Sequence, residues 1–241
     1  MERRNVELLA AWSGVPFVVL FFVGFLLIAH WVPPLSPAWS ANRLATHYDK
    51  HRTAIRVGMT LAFIGCMFFM AFGAAVATQT RRIRGIATSM CYLQLMSVAA
   101  SVIILILPIM LWWVAAFRAD RSPELVQLLN DVASLVFVVG FVPYITWAVS
   151  VGVAILSDRS SGPLYPRWAG WLSIVAGGLQ VQGFMLAFRH EGPFAWDGLF
   201  SWWIPLCVFF GWMIVIMVLT IQAVGRTVSA DKPDCDLERA R

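Results

Sequence analysis

The stretch LFSWWIPLCVFFGWMIVIMVLTIQAV, Leu199 to Val224, contains no Asp, Glu, Lys or Arg. At 1.5 Å per residue a helix of that length measures about 39 Å, more than the roughly 30 Å of hydrocarbon in a bilayer. A helix at the surface of a soluble domain keeps a polar face toward water, and this one has none. It therefore reads as a membrane crossing. Working outward, five more crossings are expected at Ala11 to Trp31, Ile55 to Thr78, Ile86 to Phe117, Val126 to Leu156 and Trp168 to Phe188. A spanning strand would need only about 9–11 residues of alternating polarity. The expected class is all-α, a polytopic membrane protein with six transmembrane helices in one bundle.

Composition agrees: 60% of the 241 residues are hydrophobic and only 13% charged, with mean hydropathy +0.75. Soluble domains carry about a quarter charged residues. Residues 1–224 are expected to form the membrane domain and 225–241 a flexible cytoplasmic tail. The first crossing follows Glu2-Arg3-Arg4, as a signal peptide would. It is longer than an h-region of about 7–15 residues, and His30-Trp31-Val32-Pro33-Pro34 offers no small-x-small cleavage site. It is read as an anchor.

Lys and Arg in the loops set the expected orientation. The side carrying both termini holds 11 of the 18 basic residues, including Arg81, Arg82 and Arg84, and the other side holds 7, four of them Arg43, Lys50, Arg52 and Arg56. The positive-inside rule then places both termini in the cytoplasm. The net charge of +5 serves topology and attraction to anionic headgroups, and calls for no nucleic acid. The partner implied throughout is the lipid bilayer.

The two faces differ in chemistry. On the terminal side, Trp168 and Trp171 follow Pro166 at headgroup depth. Opposite, Ala38 to Arg52 reads as a short helix lying in the interface, with Trp39, Leu44 and Tyr48 on one side. Ser122-Pro123-Glu124 is a helix start. The indoles of Trp31, Trp112, Trp113, Trp196, Trp202 and Trp203 are expected in the outer aromatic belt. Pro16, Pro108, Pro143 and Pro205 should interrupt or bend four of the six helices.

Candidate binding residues are few. Asp131, beside Asn130, lies about 12 Å into a helix starting at Pro123, and an ionisable group at that depth needs a partner. Arg118, Arg121 and Arg189 are on its side. Gln180 and Gln182, near Gly177-Gly178 and Gly183, are buried polar groups suited to bridging helices or lining a polar cavity. Trp112, Trp113 and Trp196 offer apolar cover. Glu191 and Asp197 are further acids in the last outer loop. His47 and His51 have the i,i+4 spacing of a metal pair, but only His30 and His190 remain to complete a site, so neither a metal nor a haem is expected. No other cofactor motif occurs: there is no phosphate-binding glycine loop, no G-x-S-x-G and no Cys-x-x-Cys. Cys66, Cys91, Cys207 and Cys235 suggest no disulfide framework. The two halves, residues 1–120 and 121–241, show no convincing internal similarity.

At Leu128-Leu129-Asn130-Asp131, Tyr165-Pro166-Arg167-Trp168 and Gly192-Pro193-Phe194-Ala195-Trp196 the chain resembles uncharacterised bacterial multi-pass inner-membrane proteins of about this length. The resemblance implies a bacterial cytoplasmic membrane and brings no activity with it. The leading expectation is a non-enzymatic protein binding or passing a small lipophilic or amphipathic molecule in an outer-leaflet cavity. In it Asn130 and Asp131 orient the polar end, the outer arginines balance charge, and the three tryptophans cover the rest. The alternatives are a small membrane-embedded enzyme acting on a lipid or isoprenoid, using Asp131, Glu191 or Asp197 as acid, and a scaffold subunit of a membrane complex, docking a membrane-protein partner.

Overall fold

The computed structural model describes residues 3–189 and 191–230. It is 80% helical, without a strand among those residues, and contains six helical stretches long and apolar enough to cross a membrane. They are Asn5–Ile28, Ala41–Thr80, Thr88–Ala115, Pro123–Ser157, Arg167–Phe188 and Gly192–Arg226. The chain is a multi-pass membrane protein. Six crossings bring Arg3 and Ala230 to one face, where Ala11 packs against Ala75 and Val224.

The crossings divide into eight α-helices: α1 (Arg3–Trp12), α2 (Gly14–Phe22), α3 (Ala41–Thr80), α4 (Thr88–Ala115), α5 (Pro123–Val139), α6 (Val142–Ser157), α7 (Arg167–Leu179) and α8 (Ile204–Ala230). Three of the four expected proline breaks coincide with these divisions. Proline lacks the N–H that would reach the carbonyl four residues back, but sits without cost in a first turn. Pro16 leaves the Trp12 carbonyl where α1 gives way to α2. Pro143 leaves Val139 where α5 ends, and Pro205 leaves Ser201 inside a π-helical turn, Leu199–Trp203. Pro108 lies within an unbroken α4.

Several expectations need correction. The surface helix and the second crossing are one helix, α3, of 40 residues, capped where the Ser40 hydroxyl accepts the Arg43 N–H at 3.4 Å. No proline or glycine stands between Ala38 and Arg52 to end the helix, so it continues. The fourth crossing is two helices, parted at Gly140-Phe141. The fifth changes at Gln180 from α7 to a 3-10 segment, Val181–Phe188. The last helix absorbs Gly225 to Ala230 from the expected tail, and residues 231–241 lie outside the described residues.

Close crossings occur where side chains are missing. Gly24 and Gly58 face each other so tightly that a β-carbon on either would strike the other's carbonyl oxygen. Gly152 and Gly170 repeat the arrangement between α6 and α7, with a Gly152 β-carbon 2.7 Å from the Gly170 carbonyl. Without a hydrophobic drive between helices in lipid, such backbone approach gives the van der Waals contact that holds them.

Polar ties close the terminal face. Glu7 on α1 pairs with Arg82 beyond α3 at 2.6 Å, and the Gln79 amide donates to the same carboxylate at 3.2 Å while its carbonyl accepts from Arg82 at 3.1 Å. Thr80 donates to Gln94 at 2.9 Å, and Tyr165 meets Thr220 at 3.1 Å. In the α6–α7 loop Asp158 accepts from the Ser160 N–H and hydroxyl and from the Leu164 N–H. Burial works to raise the Asp158 carboxyl, but these three donors outweigh it and hold it below the usual carboxylate range.

Candidate functional site

Thr53, Arg56, Val57, Thr60 and Leu61 recur at i, i+3, i+4, i+7 and i+8, which puts them on one face of α3. That face does not turn to the core. With Trp113 of α4 it lines a groove of about 400 Å³ on the half of the molecule away from the termini. The size falls within the range of small-molecule sites. Val57 and Trp113 are 47% and 41% exposed, so the groove opens outward to lipid rather than into the bundle.

Arg56 gives the groove its polarity. Its guanidinium lies over the Phe117 ring at 5.5 Å, and it has no carboxylate partner among the described residues. Its neighbour one turn earlier, Arg52, is paired with Asp49. The Thr60 hydroxyl donates to the Arg56 carbonyl at 2.7 Å, while Thr53 makes no side-chain hydrogen bond to another described residue. Arginine stays charged at any accessible pH. The groove is thus apolar along its length and permanently cationic at one end.

Among the described residues the interior is packed with rings. Trp112 is fully buried, with Phe25, Trp31 and Phe137 at 5.6, 5.1 and 5.6 Å between centroids. Further in, Tyr144 and Trp147 cross Trp212 nearly edge to face, at 79° and 83°. The Nε1 atoms of Trp112, Trp147 and Trp202 and the Tyr144 hydroxyl have no oxygen or nitrogen partner among the described residues. They sit among ring faces, where polarised edges meet π clouds. The space bounded by Ser101, Gly140, Tyr144 and Phe209 is about 10 Å³, the room of one water.

The residues singled out from sequence engage separate partners. Asn130 is buried and accepts the Tyr48 hydroxyl at 3.0 Å, tying α5 to the part of α3 away from the termini, with Asp131 half-buried beside it. Trp196 is buried and donates to the Leu35 carbonyl at 2.8 Å, which fastens the last loop on the face away from the termini to the first. Gln180 donates to the Pro205 carbonyl at 3.1 Å and so bridges the end of α7 to the start of α8; Gln182 is half-buried. Arg118 and Arg189 are exposed, and Asp197 is partly exposed. Of the residues singled out from sequence, Trp113 alone lines the groove.

The expected aromatic belt is corrected in the same way. Trp31, Trp112, Trp196 and Trp202 are between 0 and 7% exposed, because they end helices or loops on faces turned inward. Trp168 and Trp171, 55% and 60% exposed, do lie at the surface. The His47 and His51 rings are 4.7 Å apart and His30 reaches within 6.4 Å of His51, yet no three ligating side chains among the described residues have metal-site geometry. His190 lies outside the described residues.

Sequence reasoning counted Arg56 only as a charge on the wrong side of the membrane. The signal that marks it was available: two threonines and an arginine at helical spacing on a lipid-facing stripe, opposite Trp113 and Phe117 at i,i+4. The Glu7–Gln79–Arg82 cluster had no such signal, since its members are 72 and 75 residues apart. Searches of family models, of curated proteins and of solved structures find no match to this chain.

Proposed function

We propose that the protein binds a small amphipathic molecule in the groove between α3 and α4, polar end at Arg56 and apolar part along Val57, Leu61 and Trp113. The observation that carries this reading is an arginine without an acidic partner among the described residues, at the mouth of a ligand-sized, lipid-facing groove. A charge at the edge of hydrocarbon is stabilised by a counter-charge or by water, and an amphiphile's head supplies the first while its tail covers the apolar wall. By the bias of Lys and Arg, the groove faces the outer leaflet of a bacterial cytoplasmic membrane, with both termini inside. The protein acts here by binding, and Asn130 and Asp131 position α5 against α3 instead of touching the molecule.

Val57→Trp tests the reading, because Val57 is exposed and a larger ring there fills the groove without entering the core. Native mass spectra of gently solubilised wild type should show a retained amphiphile that the variant loses. Equal retention by both proteins would overturn the proposal. A second reading, that the molecule is also moved across the membrane, draws on one observation: the first helix of each three-helix half is interrupted, at Trp12–Gly14 and at Val139–Val142. Interrupted helices in corresponding positions mark sites in several carriers. Wild-type proteoliposomes that fail to speed transbilayer exchange of the retained molecule would exclude it.

A further inference from the structure

We infer that the head held at Arg56 is the phosphoryl group of an anionic phospholipid, so that the groove is a lipid site selective for headgroup charge. This rests on the amphiphile reading of the same groove. The Phe117 ring under the guanidinium restricts how Arg56 can turn, and the N–H edge has no acceptor among the described residues. That edge is a planar fork of donors matched to two oxygens of one phosphoryl group, a match an ammonium cannot make. Thr53, one turn nearer the water, provides a further hydroxyl on the same face.

Charge around the head separates lipid classes. In α3 the Asp49–Arg52 pair leaves Lys50, and the loop directly after Phe117, Arg118-Ala119-Asp120-Arg121, carries net positive charge. A zwitterionic head would bring its own cation into this field, whereas a head of net charge −1 brings none. Below Arg56 the stripe continues apolar and exposed through Ile64 and Phe68, facing the same lipid as Met110 of α4. That run suits an acyl chain and gives a soluble phosphate compound nothing to bury. The occupant is therefore a phospholipid and not free phosphate.

Electron spin resonance of spin-labelled phosphatidylglycerol and phosphatidylcholine, in vesicles holding the full chain, reads the site as a motionally restricted lipid fraction. Wild type should hold phosphatidylglycerol about tenfold more strongly at the selective site, the size of one close like-charge contact that the choline cation makes and the glycerol head does not. Arg56→Gln should weaken both lipids and shrink that preference, and Arg56→Lys, which keeps the charge without the fork, should keep the preference while holding both lipids less strongly. Val57→Trp should reduce both lipids, and millimolar inorganic phosphate should displace neither. Equal association of the two lipids in wild type, with Val57→Trp still releasing both, would overturn the selectivity for headgroup charge and leave the amphiphile site standing, and Arg56→Lys holding both lipids as strongly as wild type would overturn the phosphoryl fork. No effect of Val57→Trp on either lipid would remove the groove itself. Displacement by inorganic phosphate would overturn the lipid as the source.

Discussion

Replacing Gly58 by alanine puts a methyl group where two backbones touch. The new β-carbon would lie 2.7 Å from the Ala29 nitrogen and 2.8 Å from the Ala29 β-carbon, and would overlap the Gly24 carbonyl oxygen. Ordinary contacts begin near 3.4 Å, and the atoms in the way are backbone and β-carbons with no rotamer to change. The first and second crossings must therefore part by about 1 Å, which weakens dispersion contact along their whole interface. Overpacking of this kind costs about 1–3 kcal/mol, and the lack of a flexible neighbour argues for the upper half. At about 2–4 °C per kcal/mol for a chain of this size, Gly58→Ala should melt about 4–12 °C below wild type. Fluorescence-monitored thermal unfolding in mild detergent measures it. Gly211→Ala is the control: that glycine is exposed on α8, a β-carbon there meets nothing within 4 Å, and it should match or slightly exceed wild type through helix propensity. If the Gly58 variant melts with the Gly211 variant, the close crossing is not where the structure puts it. Gly58 also adjoins Val57, so a tilted α3 should weaken amphiphile retention as well.

Tyr48→Phe leaves the Asn130 carbonyl oxygen without its donor and should cost about 1–3 kcal/mol; a cycle with Asn130→Ala should show coupling near 1 kcal/mol in the same melts. Arg82→Met removes one charged partner from the largely buried Glu7 carboxylate and should destabilise by about 1–3 kcal/mol, with Glu7→Gln/Arg82→Met recovering part of the loss. Asp158→Asn should cost about 1–2 kcal/mol at neutral pH. Because the folded carboxyl titrates below its unfolded value, its contribution is present above the unfolded value and disappears as pH falls through the folded one. The gap between wild type and Asp158→Asn should therefore close in melts taken below the usual carboxylate range.

Much of this architecture was open to reading along the chain, and the reasons are physical. A crossing must be apolar over about 20 residues whatever its neighbours, so six of them stand out, and three of the four prolines mark real breaks. Which side of a helix faces inward is another matter. Lipid and protein core are equally apolar, so hydropathy could not distinguish Trp112, enclosed by Phe25 and Phe137, from Trp113, exposed one residue later. The same ambiguity hid the groove, whose walls come from two helices and whose one informative residue, Arg56, was outweighed by its being a cation in a charged segment. Asn130 and Trp196 drew notice as polar or amphipathic groups near the outer rim. Their partners, Tyr48 and Leu35, are 82 and 161 residues away and turn them into fasteners.

A cryo-electron microscopy map of the protein in nanodiscs containing phosphatidylglycerol tests the central claim most directly. The account predicts elongated density lying between α3 and α4, its head against the Arg56 guanidinium and its length passing Val57, Leu61 and Trp113. A map in which α4 closes onto α3 over those residues, or in which ordered lipid occupies other faces and leaves this one bare, would contradict it.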